Sequence, residues 1–248
     1  MNPVNASHTA RERARAELTR EIKEEARRQL AVAGADGLSL RAVARSLGMV
    51  SSALYRYYPS RDDLLTALII DAHNSLGDAL EAASAGSAAS VASASASRRW
   101  AAVCHAVRAW ALANPHEYAL IYGSPVPGYR APEATIGPAS RMPFAFAGIL
   151  RDAVALGELA AVPGDASLPV DGPLAKQAAA LTAALAAADA PDAPEVPPGA
   201  LIRAVIAWTQ LFGMISFELF GQFVGTFDPT DDLFANAITQ MTTFVGLR

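Results

Sequence analysis

The sequence predicts an all-α protein: an N-terminal three-helix unit followed by a larger helical remainder. Of 248 residues, 55 are alanine, 52% are hydrophobic and only 7% are aromatic. Alanine is the best helix former and buries area without rotamer cost, so this mix favours helices packed closely on helices. Val/Ile/Thr-rich runs with alternating polarity, the mark of half-buried strands, are absent. Apolar residues instead recur at intervals of three and four along most of the chain.

From Glu12 to Ala33 the stripe Leu18, Ile22, Ala26, Leu30 predicts a first helix, stopped by Gly34 and Asp36-Gly37. Ser39 caps a short helix over 40–47 that buries Leu40, Val43, Ala44 and Leu47, and Gly48 ends it. A second short helix spans 51–57, with Ser51 as the expected cap, and Pro59 breaks it. Ser60 with Asp63 has capping-box spacing and opens a helix running to about Ala83 through Leu64, Leu65, Leu68, Ile69 and Leu76. The Ala/Ser/Gly stretch 82–97 reads as a joint, the alternative being a helix that runs on weakly through it. Further helices are expected at 98–113, 115–123, 138–158, 173–188, 199–225 and 231–246, with proline-bearing loops at 124–133 and 189–200.

The single cysteine, Cys104, cannot form an internal disulfide. The N-terminus lacks the apolar core of a secretory signal, and the apolar stretch 204–217 is too short for a bilayer span, so a cytoplasmic, membrane-free protein is expected. The net charge of −4 conceals a division. Residues 1–65 carry 11 basic and 8 acidic side chains, a net of +3; residues 66–248 carry 9 and 16, a net of −7. A basic head on an acidic body directs one small surface at phosphate, although a solvated, ion-paired helix produces the same balance. Catalytic motifs are missing. Cys104 and His105 are adjacent, so on a helix they point about 100° apart and form no nucleophile–base pair. No phosphate loop, HExxH or GxSxG occurs, and no enzymatic activity, catalytic residue, metal or cofactor is expected.

Function is carried by the two short helices around Gly48, which have the helix-turn-helix spacing that lays a second helix in the DNA major groove. The stretch 38–65 contains Ala44, Leu47-Gly48-Met49, Ala53-Leu54-Tyr55, Tyr57-Tyr58, Arg61 and Asp62-Asp63-Leu64-Leu65. With the first helix, about residues 18–68 resemble the DNA-binding domain of the TetR family of bacterial transcriptional regulators. Val50 departs from the Ser or Thr that often caps the family's recognition helix. The resemblance implies a double-stranded DNA operator, with base contacts from Ser51, Ser52, Ala53, Tyr55 and Arg56. Arg56 is the one long donor there able to grip guanine with two hydrogen bonds. Phosphate contacts fall to Ser39, Arg41, Tyr57 and Arg61, which fix register without reading sequence; plain solvation is the alternative for Arg41 and Arg45. Arg11, Arg13 and Arg15 form either an arm along DNA or a free tail. Tyr58 is read as core.

The resemblance divides the chain into a DNA-binding domain, 1–65, and a ligand-binding and dimerisation domain, 66–248. Trp208-Thr-Gln-Leu-Phe212-Gly213 resembles a TetR subgroup named for a Trp-His-Gly motif, with Phe212 in place of the histidine. The helix 199–225 is apolar all round; Leu201, Val205, Phe212, Ile215 and Leu219 are its expected homodimer face, packing within one chain being the alternative. Glu218 in that apolar setting needs an arginine or hydroxyl partner, or else meets a ligand. Trp110, Tyr118, Tyr122, Tyr129, Arg130 and Trp208 mark the expected pocket for a small-molecule effector. The expected function is a homodimeric repressor, cytoplasmic and at the nucleoid when DNA-bound, released from a palindromic operator by that effector. A ligand-independent dimer whose C-terminal part only dimerises or recruits a protein partner is the alternative.

Overall fold

The computed structural model describes residues 3–86, 95–162, 172–189 and 194–248. Among them are ten α-helices and no strand: α1 (Pro3–Ala33), α2 (Leu40–Ser46), α3 (Ser51–Leu54), α4 (Arg61–Gly86), α5 (Ala96–Ala113), α6 (Pro115–Tyr122), α7 (Ile136–Ala155), α8 (Pro173–Asp189), α9 (Pro198–Leu219) and α10 (Asp231–Val245). A 3-10 turn, Glu133–Thr135, precedes α7, and one isolated bridge joins Leu159 to Leu247. Of the expected joint, 82–86 continue α4 and 96–97 open α5, while 87–94 lie outside the described residues.

The capping chemistry follows the sequence closely. The Ser39 hydroxyl accepts from the Ala42 N–H at 3.4 Å, opening α2. Ser60 and Asp63 close a reciprocal box: the Ser60 N–H donates to Asp63 Oδ2 at 2.9 Å and the Asp63 N–H to Ser60 Oγ at 3.1 Å. Gly48 sits at φ +65°, a left-handed conformation that a side chain resists, which is why the α2–α3 turn is a glycine. Helix α1 begins at Pro3 rather than near Glu12, α7 spans Ile136–Ala155 rather than 138–158, and α3 and α9 also differ from expectation. Val50, not Ser51, occupies the N-cap of α3 and makes no side-chain cap bond. Helix α3 stops at Leu54, and residues 55–57 continue as a turn in which the Tyr57 N–H bonds the Leu54 carbonyl at 2.8 Å; Pro59 leaves no room for another helical turn. Helix α9 ends at Leu219 rather than 225, because Gly221 and Gly225 take φ +75° and +79°.

The chain forms two compact units, residues 1–74 with 114–139 and residues 75–113 with 140–248. Compactness thus groups α6 and the loop after it with the N-terminal helices, whereas the boundary read from sequence lies at 65/66. In the first unit, Ile22, Ala26, Leu30, Val43, Ala44, Leu54, Tyr58, Leu64 and Leu65 form one buried cluster. Leu120, Ile121, Val126 and Tyr129 pack against it. In the second unit the core is built from the inner faces of α5 (Trp100, Val103, Val107), α7 (Phe146, Leu150), α9 (Ala204, Leu211, Ile215) and α10 (Phe234, Ile238, Met241).

Helix α9 is apolar but not buried all round. Leu201, Ala204, Ala207, Leu211 and Ile215 face inward, while Val205, Ile206 and Phe217 are exposed. Its 22 residues would cross a bilayer by length and hydropathy alone. Its buried Arg203 donates through Nε and Nη2 to the Val245 carbonyl, at 3.2 and 3.1 Å, which ties α9 to the end of α10. Leu201 and Ile215, expected at a dimer face, are 4% and 0% exposed within the chain itself. Their spacing of three and four marks one helix face, and that face packs inward.

Candidate nucleic-acid interface

The first unit assembles a helix-turn-helix: α2 packs on α1 and α3 packs on α2. Leu54 is fully buried and is the buried anchor of the four-residue α3. Burying Leu54 turns the opposite side of the same turn outward, so Ser52, Tyr55 and Arg56 are exposed, while Ser51 and Ala53 are half-buried. Tyr58 is buried, as core.

The phosphate-contact residues surround this surface. Ser39, Arg41, Tyr55, Ser60 and Arg61 line an open groove of about 440 Å³. Arg41 and Arg45 are exposed. Arg61 is tied down: its Nη2 donates to the Ala35 carbonyl at 2.7 Å, which fixes the guanidinium beside the groove. Tyr57 is half-buried, with the Arg15 guanidinium 5.6 Å from its ring centroid. Arg11, Arg13 and Arg15 therefore belong to α1 rather than to a free tail. The Arg15–Tyr57 contact was not legible in the sequence, because 42 residues separate the two and only the fold brings α1 beside the α3 turn.

Ion pairs hold α1 against its neighbours within this unit. Asp71 on α4 accepts from Lys23 Nζ and Arg27 Nη2, both at 2.7 Å, and Arg27 Nε donates to Glu117 of α6 at 2.9 Å. Basic residues that raise the head's charge are thus partly spent on its own scaffold.

The residues expected at an effector pocket are distributed over both units. In the first, Tyr118 is fully buried with its ring 5.4 Å from that of Tyr122, and burial pushes the Tyr122 hydroxyl pKa upward. Tyr122 also meets His73 edge-on at 6.1 Å, and burial lowers the imidazole's pKa. Tyr129 shares a 2.9 Å hydrogen bond with Thr66, and Arg130 is exposed. In the second, Trp110 is a core residue whose indole N–H donates to Ser75 at 3.0 Å. The Trp208 ring lies 5.9 Å from that of Phe212, and its buried indole nitrogen has no hydrogen-bond partner among the described residues. Cys104 is fully buried and burial drives its thiol pKa up, the opposite of an activated nucleophile.

Glu218 has the partners its setting demands. Arg108 grips it side-on, Nε to Oε2 at 2.8 Å and Nη2 to Oε1 at 2.6 Å, and the Thr230 hydroxyl donates to Oε1 at 2.5 Å. Arg108 Nη1 also reaches Asp231 at 2.9 Å. The guanidinium holds the Glu218 carboxyl below the usual carboxylate range, against the upward push of burial.

Comparison with known proteins agrees with this geometry. The family model described as bacterial regulatory proteins, tetR family, matches residues 22–68, and that described as tetracyclin repressor-like, C-terminal domain, matches residues 100–241. The HTH-type transcriptional regulator Rv1816 of Mycobacterium tuberculosis is 40% identical over 211 residues, 85% of this chain and 84% of that protein. The same identity and coverage hold for the HTH-type transcriptional regulator Mb1846 of Mycobacterium bovis. Among solved structures, SCO4313 superposes with a TM-score of 0.70 at 38% identity, covering 94% of this chain and 98% of its own. A protein of unknown function from Rhodococcus sp. RHA1 shares the fold, with a TM-score of 0.64 at 24% identity over 93% and 95% of the two chains.

Proposed function

The chain belongs to the TetR family and is a DNA-binding transcriptional regulator, not an enzyme; from this premise we propose that it is a homodimeric repressor released from a palindromic operator by a small-molecule effector. The reading domain is 1–65 and the effector and dimerisation domain is 66–248. The protein acts in the cytoplasm, at the nucleoid while bound. The observation that carries the DNA half of this reading is the outward face of the α3 turn, where Ser52, Tyr55 and Arg56 project beside the buried Leu54. Arg56 reads guanine; Ser51, Ser52 and Ala53 meet base edges and thymine methyls; Ser39, Arg41, Tyr57 and Arg61 fix register on phosphate.

Arg56→Ala is expected to weaken specific binding by about 1–3 kcal/mol and to relax base preference at one position of each half-site. Arg41→Ala is expected to weaken binding evenly across sequences and to lower the salt slope by about one. Selection of bound sites from random DNA, followed by titration at several salt concentrations, measures both. An unchanged base preference in Arg56→Ala would remove that residue from the groove.

Two reading heads on a palindrome require a two-fold dimer. With Leu201 and Ile215 inside the chain, the surface left for a partner copy runs through exposed Val205, Ile206, Phe217 and Phe220, beside half-buried Phe212 and Leu219. Phe217→Glu places a charge in the middle of that face and is expected to yield monomers by light scattering. A persistent dimer overturns the assignment. Effector binding then shifts a two-state equilibrium, favouring a dimer whose heads no longer match the half-site spacing.

A further inference from the structure

The cations of α1 are not all neutralised. Beyond Thr19 each one has a carboxylate: Arg20 pairs with Glu17 and Glu24, Lys23 and Arg27 with Asp71, and Arg28 with Glu25. Before Thr19, Arg11 and Arg15 are exposed and form no ion pair among the described residues. In this they match Arg41, Arg45 and Arg56 of the helix-turn-helix, which are likewise exposed and unpaired among those residues. Surface cations left without counter-ions project a field that attracts polyanions, whereas paired ones largely cancel it.

Helix geometry fixes the side on which the two arginines stand. At about 100° per residue, Arg11, Arg15, Leu18, Ile22 and Ala26 fall on one stripe of α1. Ile22 and Ala26 are fully buried in the core of the first unit, and Leu18 packs against it. Helix α1 runs on past that core, and the same stripe then carries Arg15 and Arg11. The Arg15 guanidinium accordingly lies 5.6 Å from the ring centroid of Tyr57, which packs on the core at the end of the α3 turn. An aromatic face orients a guanidinium without neutralising it and leaves its edge N–H groups open to an anion. Arg11 stands one turn further out, about 6 Å along the helix. Arg13 lies on the opposite face, about 200° from Arg11.

We propose that Arg11 and Arg15 grip two DNA phosphates beside the one held by Tyr57, so that α1 as well as the helix-turn-helix holds the operator. Guanidinium N–H groups match phosphate oxygens, and such contacts fix register and add affinity without reading bases. Tyr57 then has two tasks, a hydroxyl for its own phosphate and a ring that holds Arg15 in place. The inference rests on the DNA-reading surface described above and adds two backbone contacts to each half-site.

The double variant Arg11→Gln/Arg15→Gln of the full chain, titrated with the selected DNA site at several salt concentrations, tests it. Each phosphate contact contributes about 0.9 to the slope of log affinity against log salt, so the slope should flatten by about two per half-site. The base preference of the parent should persist. Arg13→Gln removes the same charge from the other face and is expected to keep the parent's slope. In ethylation interference, two phosphates per half-site whose alkylation blocks the parent should become indifferent for the double variant. An unchanged slope, an equal loss in Arg13→Gln, or an unchanged interference pattern each overturns the proposal. A parent with no preference for any DNA site refutes the DNA reading itself. A preference that Arg56→Ala relaxes, together with a parental slope in the double variant, refutes the α1 contacts alone.

Discussion

Arg108→Ala is expected to destabilise the second unit by about 3–5 kcal/mol, the cost of stripping one partner from a buried ion pair. The Arg108 and Glu218 side chains are only 12% and 15% exposed, so water does not replace the lost guanidinium. Arg108 also donates to Thr230 and Asp231 and lies 4.9 Å over the Phe234 ring. One side chain thereby ties the end of α9 and the start of α10 to α5, across the turns of 220–229. A domain has only about 5–15 kcal/mol in hand, so the melting transition should fall well below that of the parent. The double variant Arg108→Met/Glu218→Leu should recover much of the loss, since two apolar side chains leave no orphaned charge. A single-variant midpoint equal to the parent's would refute a buried, coupled pair.

The same pair sets an acid limit. Because the folded Glu218 pKa lies below its unfolded value, its contribution is complete above the unfolded carboxylate pKa of about 4.3 and is lost as pH falls through the folded value. Arg108→Ala reverses the sign. Burial alone then raises the folded pKa above the unfolded one, and the charged carboxylate destabilises the fold at neutral pH. Stability measured between about pH 3 and 7 distinguishes the two slopes.

What the sequence revealed depended on the range of each interaction. Local chemistry was legible: the Ser39 cap, the Ser60–Asp63 box and the Gly48 turn each involve residues within four positions of one another, and each stands as read. The need of Glu218 for a partner followed from burial of charge, but not which arginine, since Arg108 is 110 positions away. On α9 alanine hides which face is buried, so Leu201 and Ile215 read as surface from their spacing alone. Ala204 and Ala207 lie on the buried face between Leu201 and Leu211, and small residues weigh little in a hydrophobic stripe. Tyr129 was expected in a pocket because an aromatic beside a proline loop suggests one; in the fold it bonds Thr66 and packs on the core of the DNA-reading unit.

Leu54→Ala should abolish operator preference, which Arg56→Ala only weakens, and the contrast separates positioning from reading. Leu54 is 0% exposed, and the cavity left by truncating it costs about 2–5 kcal/mol. Helix α3 has four residues, far fewer than a helix needs to persist alone, so it exists only while Leu54 holds it against Val43, Ala44 and Tyr58. Once released, Ser52, Tyr55 and Arg56 no longer share a surface, and operator and random DNA should be bound with equally weak affinity. Arg56→Ala leaves Leu54 in place, so it should keep the parent's melting midpoint and non-specific binding while giving up about 1–3 kcal/mol of its preference for the operator. Thermal unfolding paired with titration of operator and scrambled DNA resolves the two cases. If Leu54→Ala bound its operator as tightly as the parent, the buried leucine would not be what presents the α3 turn to the groove.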